Sequence, residues 1–400
     1  MTSYRRLRSR DLFPTDEPVS AGSLIGRSAD VDELTNALAN GLNRIMVGPR
    51  RTGKTSVALA ALAELRARGC YVVSTDLFRL SGTAELAEAL ARGLLANRAP
   101  AHRAGAAARR ASRALVEAAG RVASATLSGE FGADIEIALT PGLAARDPQH
   151  YLAFALELCQ QVAERDDHDV VVFIDEFQEI AGARAIFGNP DAITKLMRSV
   201  LQNSPRVTAL FAGSIDHAMR ELFTPEHRAF YRFGAFETLG VITADQWQAG
   251  ITARLATDKT TIDPLALVTL VERGAGHPRS TMLLAQQAHS LSVLLGRTHI
   301  DGELALEAYT EALAADAGSH QSEVERIREL GKHTFEVARR LARGTAPYAG
   351  TSPRSAQRAV EMLVRAGVVE EVPGVVAHTT GRWRLVDPLL RAYLAALGPS

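Results

Sequence analysis

The sequence has no net charge, very little cysteine and no long apolar run. Over 400 residues, 45 Lys and Arg balance 45 Asp and Glu. This balance removes any global pull toward nucleic acid or an anionic membrane and leaves only local basic faces to consider. The 2 cysteines, Cys70 and Cys159, stand in apolar settings with no CxxC partner. They read as reduced core thiols rather than a disulfide framework or a thiolate metal site. No window approaches the roughly 18 apolar residues that span a bilayer. The basic start, through Arg10, has no apolar region behind it and so is not a secretory signal. A cytoplasmic protein without a membrane partner is expected. No repeat at a fixed period is present, and the scarcity of lysine against arginine says nothing about function.

What is there is an ordered succession of elements. At roughly 100–200 residues per domain, the length predicts two to three domains. Residues 1–20, with Pro14 and Pro18 among charges, read as a flexible tail. Residues 21–240 alternate buried strands with amphipathic helices, the pattern of an α/β domain on a parallel sheet. Within them, residues 44–47, 71–76, 170–174 and 207–212 are apolar strands, and an Ala/Arg-rich excursion occupies about 97–127. Residues 130–138 alternate like a short strand. From 241 to 318 strands stop and four helices follow (243–256, 263–273, 279–295 and 301–315), a separate helical subdomain. Residues 316–321 read as a linker, and 322–400 as a third unit with a helix from Pro353 and a strand-turn-strand tail.

The most specific motif is Gly48-Pro49-Arg50-Arg51-Thr52-Gly53-Lys54-Thr55, followed by Ser56. It completes G-x-x-x-x-G-K-[ST] between a buried strand and an amphipathic helix, the context a phosphate-binding loop requires. Glycines let successive backbone N–H groups turn inward around phosphates. The following helix adds unpaired N–H groups and a positive dipole end. Lys54 is expected to reach the β- and γ-phosphates and the Thr55 hydroxyl to ligate magnesium. The strand at 170–174 then delivers Asp175 and Glu176 to the ligand edge of the sheet. Asp175 is the candidate magnesium ligand, and Glu176 the candidate base that polarises the attacking water.

Other positions carry weaker signals. Ser214, just past the strand at 207–212, is placed either to meet the γ-phosphate or to cap the next helix. Ile25, Gly26 and Arg27 lie where apolar residues would pack on an adenine ring, or form a turn without a ligand. Arg228 and Arg232 are candidate arginine fingers, in cis or in a neighbouring subunit, against a solvated or ion-paired role. Pro278 and Arg279 open a helix that could press on the nucleotide, or close a plain interhelix turn.

Leu24 to Arg27, the Gly-Pro-Arg-Arg-Thr-Gly-Lys-Thr loop and Ile174-Asp175-Glu176-Phe177-Gln178 together resemble the archaeal-type ATPase group of the AAA+/STAND P-loop NTPases, relatives of the origin-recognition initiator ATPases. Gly276-His277-Pro278 is similar to the glycine-x-proline turn of STAND lids. The similarity covers most of residues 22–396 outside the Ala/Arg-rich excursion. It implies an α/β P-loop NTPase core, a helical lid at 241–318 and a C-terminal winged-helix domain at 322–400, with ATP or ADP and Mg2+ as ligands. It further implies Lys54, Thr55, Asp175 and Glu176 as ATPase residues and Arg279 as a lid sensor. The chain departs from the family in two places. Phe230-Tyr231-Arg232 lacks the glycine that often precedes the finger arginine, and Pro278 stands where initiators place their lid arginine.

In the third unit, Ser352 and Pro353 form a helix start. Arg354, Arg358, Glu361 and Arg365 share the polar face of that helix. Arg382 and Arg384 follow in the strand after the turn. Twelve Lys/Arg stand against eight Asp/Glu over 322–400, an excess of four. The outline is that of a winged helix, with double-stranded DNA, a protein partner or a second copy of the chain as candidate partners. The function expected is ATP binding with slow hydrolysis, the nucleotide state repositioning lid and winged helix. The alternative is a nucleotide-controlled DNA-binding regulator.

Overall fold

The computed structural model describes residues 6–19, 21–97, 147–182, 186–214, 216–348, 352–372 and 381–397. Almost all of the Ala/Arg-rich excursion and the stretch 130–138 lie outside the described residues. The chain enters through a short helix, α1 (Ser9–Leu12), and then builds α2 (Ser28–Ala39), β1 (Arg44–Val47), α3 (Lys54–Ala67), β2 (Tyr71–Asp76) and α4 (Thr83–Asn97). After the excursion come α5 (Pro148–Asp166), β3 (Val170–Asp175), α6 (Pro190–Gln202), β4 (Val207–Gly213), α7 (Asp216–Phe223) and β5 (Ala235–Thr238). The five strands form one parallel sheet in the order β2-β3-β4-β1-β5.

A parallel sheet needs cover on both faces, and side-chain alternation supplies it. Val47, Val73, Val172, Ile174 and Phe211 face α4, α5 and α6. Their neighbours Met46, Val72, Val171, Phe173 and Ala212 face α2 and α3. The short edge strand β5 was not anticipated. It is paired to β1 from Arg44↔Ala235 to Val47↔Thr238, and only half-buried or exposed side chains line it, so it carries no apolar signal.

Four helices follow: α8 (Ala244–Thr257), α9 (Pro264–Gly274), α10 (Pro278–Leu294) and α11 (Gly302–Ala315). They pack around Trp247, Ile251, Leu270 and Leu284. Strands do not stop at residue 240. β6 (Thr261–Ile262) and β7 (His299–Ile300) form a two-residue parallel pair that joins the α8–α9 connection to the α10–α11 connection. The linker expected at 316–321 is instead the first turn of a helix, α12 (Ala317–Leu330). The His320 N–H donates to the Asp316 carbonyl at 2.9 Å, and both side chains are buried. Tertiary contacts there override the weak helix propensity of Gly318.

The last unit contains α13 (Thr334–Ala342), α14 (Pro353–Arg365), an antiparallel pair of β8 (Val369–Glu371) with β9 (Trp383–Leu385), and α15 (Pro388–Ala396). Ser352 caps α14 by accepting from the Ser355 N–H, with Pro353 at the first helical position. Val337, Ala359, Leu363, Leu385 and Leu394 form its core. Helix α15 lies beyond the strand-turn-strand tail read from the sequence.

The N-terminal segment is not a loose tail from residue 6 onward. Arg6 pairs with the buried Asp258 at 2.8 Å, Phe13 is fully buried, and the Val19 N–H donates to Ser56 Oγ at 3.0 Å. The segment is a strap that runs from the helical block to the phosphate loop. Among the described residues no helix is long and apolar enough to cross a membrane.

Candidate functional site

The loop between β1 and α3 turns back on itself through left-handed backbone at Arg51 (φ 65°) and Gly53 (φ 94°). Gly53 is also the residue from which α3 starts. Holding a non-glycine residue such as Arg51 in this region costs about 1–2 kcal/mol, which the rest of the loop must offset. The Thr52 hydroxyl donates to the Pro49 carbonyl at 2.8 Å and closes the curl. Lys54 lies inside it, 6 % exposed. Its ammonium donates to the carbonyls of Gly48 at 2.8 Å and Pro49 at 2.7 Å. Burial pushes this ammonium down to about 8, although Glu176 and Asp175 both favour its charge. A lysine that is costly to keep charged gains most from an anion placed beside it.

The end of β3 meets the start of α3. Thr55 Oγ1 donates to Asp175 Oδ2 at 2.6 Å, and Asp175 Oδ1 accepts the Glu176 N–H at 2.9 Å. Burial raises the Asp175 carboxyl above its ordinary range, against the hydrogen bonds from Thr55 and Glu176. A hydroxyl and a carboxylate side by side, with desolvated negative charge, are hard oxygen donors that fit Mg2+ sharing phosphate oxygens. Glu176 itself is held in left-handed backbone (φ 50°, ψ 41°). Its Oε2 accepts from Ser214 Oγ at 2.7 Å and from the Gln178 side-chain amide. Ser214 in turn accepts from Arg50 Nε at 3.3 Å. Four segments, the loop, α3, β3 and the end of β4, therefore converge on one edge of the sheet.

The loop, the start of α3 and Glu176 open onto a cleft of about 390 Å³, within the range of small-ligand sites; Asp175 and Ser214 lie outside its lining. Arg50, Arg51, Gly53, Lys54, Thr55, Ser56 and Glu176 line one side, and Pro278, Arg279 and Met282 of α10 line another. The remainder is the strap, residues 14–19. The sequence carried no signal for the strap, because nothing in its composition marks a segment whose placement is set by contacts as remote as Arg6 with Asp258. Gln178 and Asp316 were likewise missed as partners. Arg279 spans from the cleft wall to α12, with its two terminal nitrogens on the two Asp316 oxygens.

Three expectations change. Ile25, Gly26 and Arg27 do not line the cleft. Ile25 is buried in the apolar cluster of Trp247 and Ile251, and a Cβ on Gly26 would lie 2.8 Å from the Ile242 side chain. Arg27, 5 % exposed, grips backbone instead of ligand, donating to the Gly240 carbonyl at 2.7 Å and the Thr52 carbonyl at 3.4 Å. It holds the loop from behind. Arg232 is exposed and lies over the Tyr231 ring. It precedes β5, whose first residue pairs with Arg44 at the start of β1. It therefore lies at the edge of the sheet away from the loop and cannot act as a finger in cis. Arg228 is paired with Asp191.

A parallel sheet with this loop after β1 and this acidic pair at the end of β3, with β4 between the two strands, has the fold of a P-loop NTPase. Residues 23–211 match the AAA ATPase domain. A comparison with curated proteins finds no match. Among solved structures, the chain is similar to a Walker-type ATPase of Pyrococcus abyssi, with 16 % identity over 96 % of this chain and 99 % of that one and a TM-score of 0.67. It is also similar to the ORC2 protein of Aeropyrum pernix solved as ADPNP–ADP complexes, with 15 % identity over 98 % and 96 % of the two chains and a TM-score of 0.61. Residues 23–211 thus resemble an AAA ATPase domain, and the likeness to the two archaeal structures shows a shared fold.

Proposed function

We propose that the protein is an ATP-hydrolysing switch of the AAA+/STAND kind, acting in the cytoplasm. The observation that carries this is the convergence of Lys54, Thr55 and Glu176 on one cleft wall, with Asp175 hydrogen-bonded to Thr55 and Glu176 directly behind it. Lys54 binds the β- and γ-phosphates, and the N-terminus of α3 faces them with unpaired N–H groups. Mg2+, held by Thr55 and Asp175, would supply charge neutralisation on the phosphates. Glu176 orients a water for attack on the γ-phosphorus and takes its proton. The bond to the β–γ bridging oxygen breaks, and ADP leaves with the electron pair. Ser214, just past the end of β4, orients Glu176 and is the catalytic candidate there.

Residues 241–318 act as the lid and 322–400 as a winged helix. Support comes from Arg51 of the loop, which donates to Ser319 of α12 at 3.3 Å, and from Arg279 of the cleft wall, which is paired with Asp316 at the start of α12. A nucleotide shifts such an arrangement only by binding its states unequally, and the γ-phosphate is the group that differs between ATP and ADP. The decisive measurement is phosphate release by the purified protein beside two variants. Lys54→Ala should lose nucleotide binding, and Glu176→Gln should bind ATP and stall. Turnover in Glu176→Gln equal to wild type would remove Glu176 as base.

A nucleotide-controlled DNA-binding regulator is the second reading. It is favoured by the outward face of α14, where Arg354, Arg358 and Arg365 are all exposed. The wing contributes less, since Arg384 pairs with Glu370 and Arg382 with Glu371. Three exposed arginines on one face predict a slope of log K against log salt of about −3. Fluorescence anisotropy on duplex DNA with ATP or ADP reads it, and a flat response would sink this reading. A homo-oligomer in which Arg232 reaches a neighbour's phosphate would appear as an ATPase rate that rises with protein concentration and is lost in Arg232→Ala.

A further inference from the structure

Gln178 is 3 % exposed and hydrogen-bonded to the candidate base, and the mechanism above gives it no role. It follows Glu176 in the tight turn Phe177–Ala181, so its side chain folds back under the residue two positions earlier. Both ends of its amide are engaged. Nε2 donates to Glu176 Oε2 and faces Ser214 Oγ at 3.4 Å, while Oε1 accepts the Ser214 N–H at 3.3 Å. The backbone donor at Ser214 fixes which way round the amide sits, because a reversed amide would set two oxygens together at Glu176 and two N–H groups together at Ser214.

The end of β4 is built to admit this amide. A Cβ on Gly213 would lie 2.7 Å from Gln178 Oε1 and 2.4 Å from Met219 Cγ, so any side chain at 213 would displace Gln178. The result is two donors, Gln178 Nε2 and Ser214 Oγ, on a single oxygen of Glu176. Among the described residues the other oxygen has no side-chain donor and is free to accept from water.

We infer that Gln178 is the positioning residue for Glu176. It clamps Oε2 against the end of β4 and presents Oε1 to the attacking water. This rests on the reading of Glu176 as the base. Gln178 touches neither nucleotide nor metal in this scheme and acts only through Glu176. Small misplacements of a reacting group cost up to about 100-fold in rate. Loss of the clamp should therefore lower kcat about 10- to 100-fold and leave ATP affinity within about twofold, since neither phosphate ligands nor loop backbone change.

The test is a cycle of wild type, Gln178→Met, Glu176→Gln and the double variant, read by single-turnover ATP cleavage and by equilibrium ATP binding. Methionine keeps the volume and removes all three hydrogen bonds of the amide. The expected outcome is a large effect of Gln178→Met beside an intact Glu176 and little further effect once Glu176 is gone, with unchanged ATP affinity. Gln178→Asn, which keeps the amide but withdraws it by one methylene, should fall with Gln178→Met. It also serves as the second variant if methionine impairs folding. An equal rate loss in both backgrounds, or weakened ATP binding, would assign Gln178 a merely structural part. Turnover within twofold of wild type in both variants would overturn the inference alone. A wild type with no ATP cleavage would overturn the hydrolysis reading, and this inference with it.

Discussion

Lys54 concentrates the physical chemistry of the site into one ammonium. Burial pushes it down to about 8, and a bound triphosphate must push it back up, because an adjacent anion favours the charged form. The sign of the linkage follows. A group whose pKa is raised in the complex contributes affinity that is complete below its free value and is lost as pH rises toward its bound value. ATP affinity should therefore be flat up to about pH 8 and then fall, by at most about tenfold per pH unit. Titration calorimetry at pH 8 in two buffers of different ionisation enthalpy should show proton uptake on binding. Uptake of zero would mean that Lys54 is already fully charged in the free protein. Arg27 illustrates the opposite outcome for a motif residue. The sequence offered it either an adenine contact or a turn without a ligand, and its guanidinium reaches the Gly240 and Thr52 carbonyls. Arg27→Ala should slacken the loop from behind and weaken ATP binding without changing the ligands of the phosphates.

At the scale of elements, the contact of α10 with the first turn of α12 is a buried ion pair. The Arg279 and Asp316 side chains are 14 % and 6 % exposed and joined through two nitrogens. Burial alone would raise the Asp316 carboxyl, but the bonds and charge of Arg279 and the nearby His320 hold it below its ordinary range. Removing one partner of such a pair leaves a buried charge unpaired, which costs about 3 kcal/mol. Arg279→Met should lose about that much in urea unfolding. Arg279→Met with Asp316→Leu should recover most of it, because two apolar side chains leave no charge stranded. If the single variant is as stable as wild type, the pair is not what fastens α12. The pair also explains why the segment 316–321 could not be read. Asp-Ala-Gly-Ser is linker chemistry on its own, and only the arginine 37 positions away makes Asp316 the start of a helix.

For the whole molecule, the strap and the last unit both touch the nucleotide cleft or its rim. The strap lines the cleft directly. The last unit approaches at Gly367, where an added Cβ would lie 3.8 Å from the Ser214 carbonyl. An exchange of ADP for ATP should therefore move residues 241–400 against the sheet. Double electron–electron resonance between spin labels at Arg66 on α3 and Gln357 on α14, both exposed, should give different distance distributions in the two states. The same distribution with either nucleotide would rule out the switch while leaving nucleotide binding intact.

The sequence by itself determined the features made by consecutive residues. Gly48 to Thr55 specify the loop because its N–H groups and the helix start that follows are adjacent in the chain. The β-branched run from Val170 to Ile174 specifies a buried strand, and so delivers Asp175 and Glu176 to the same edge. Capping residues such as Ser352 and Asp301 mark helix starts for the same reason. Only the tertiary structure decided which side chain each of these residues meets. Ser214 meets Glu176 across 38 positions, and Arg6 meets Asp258 across 252. No local pattern encodes such a pairing, because a carboxylate is satisfied equally by any donor that packing brings within reach. The physical reason is one of range. Backbone geometry and side-chain periodicity act over a few residues, whereas the partners that orient Glu176, anchor Asp316 and fasten the strap are chosen by the collapse of whole elements onto one another.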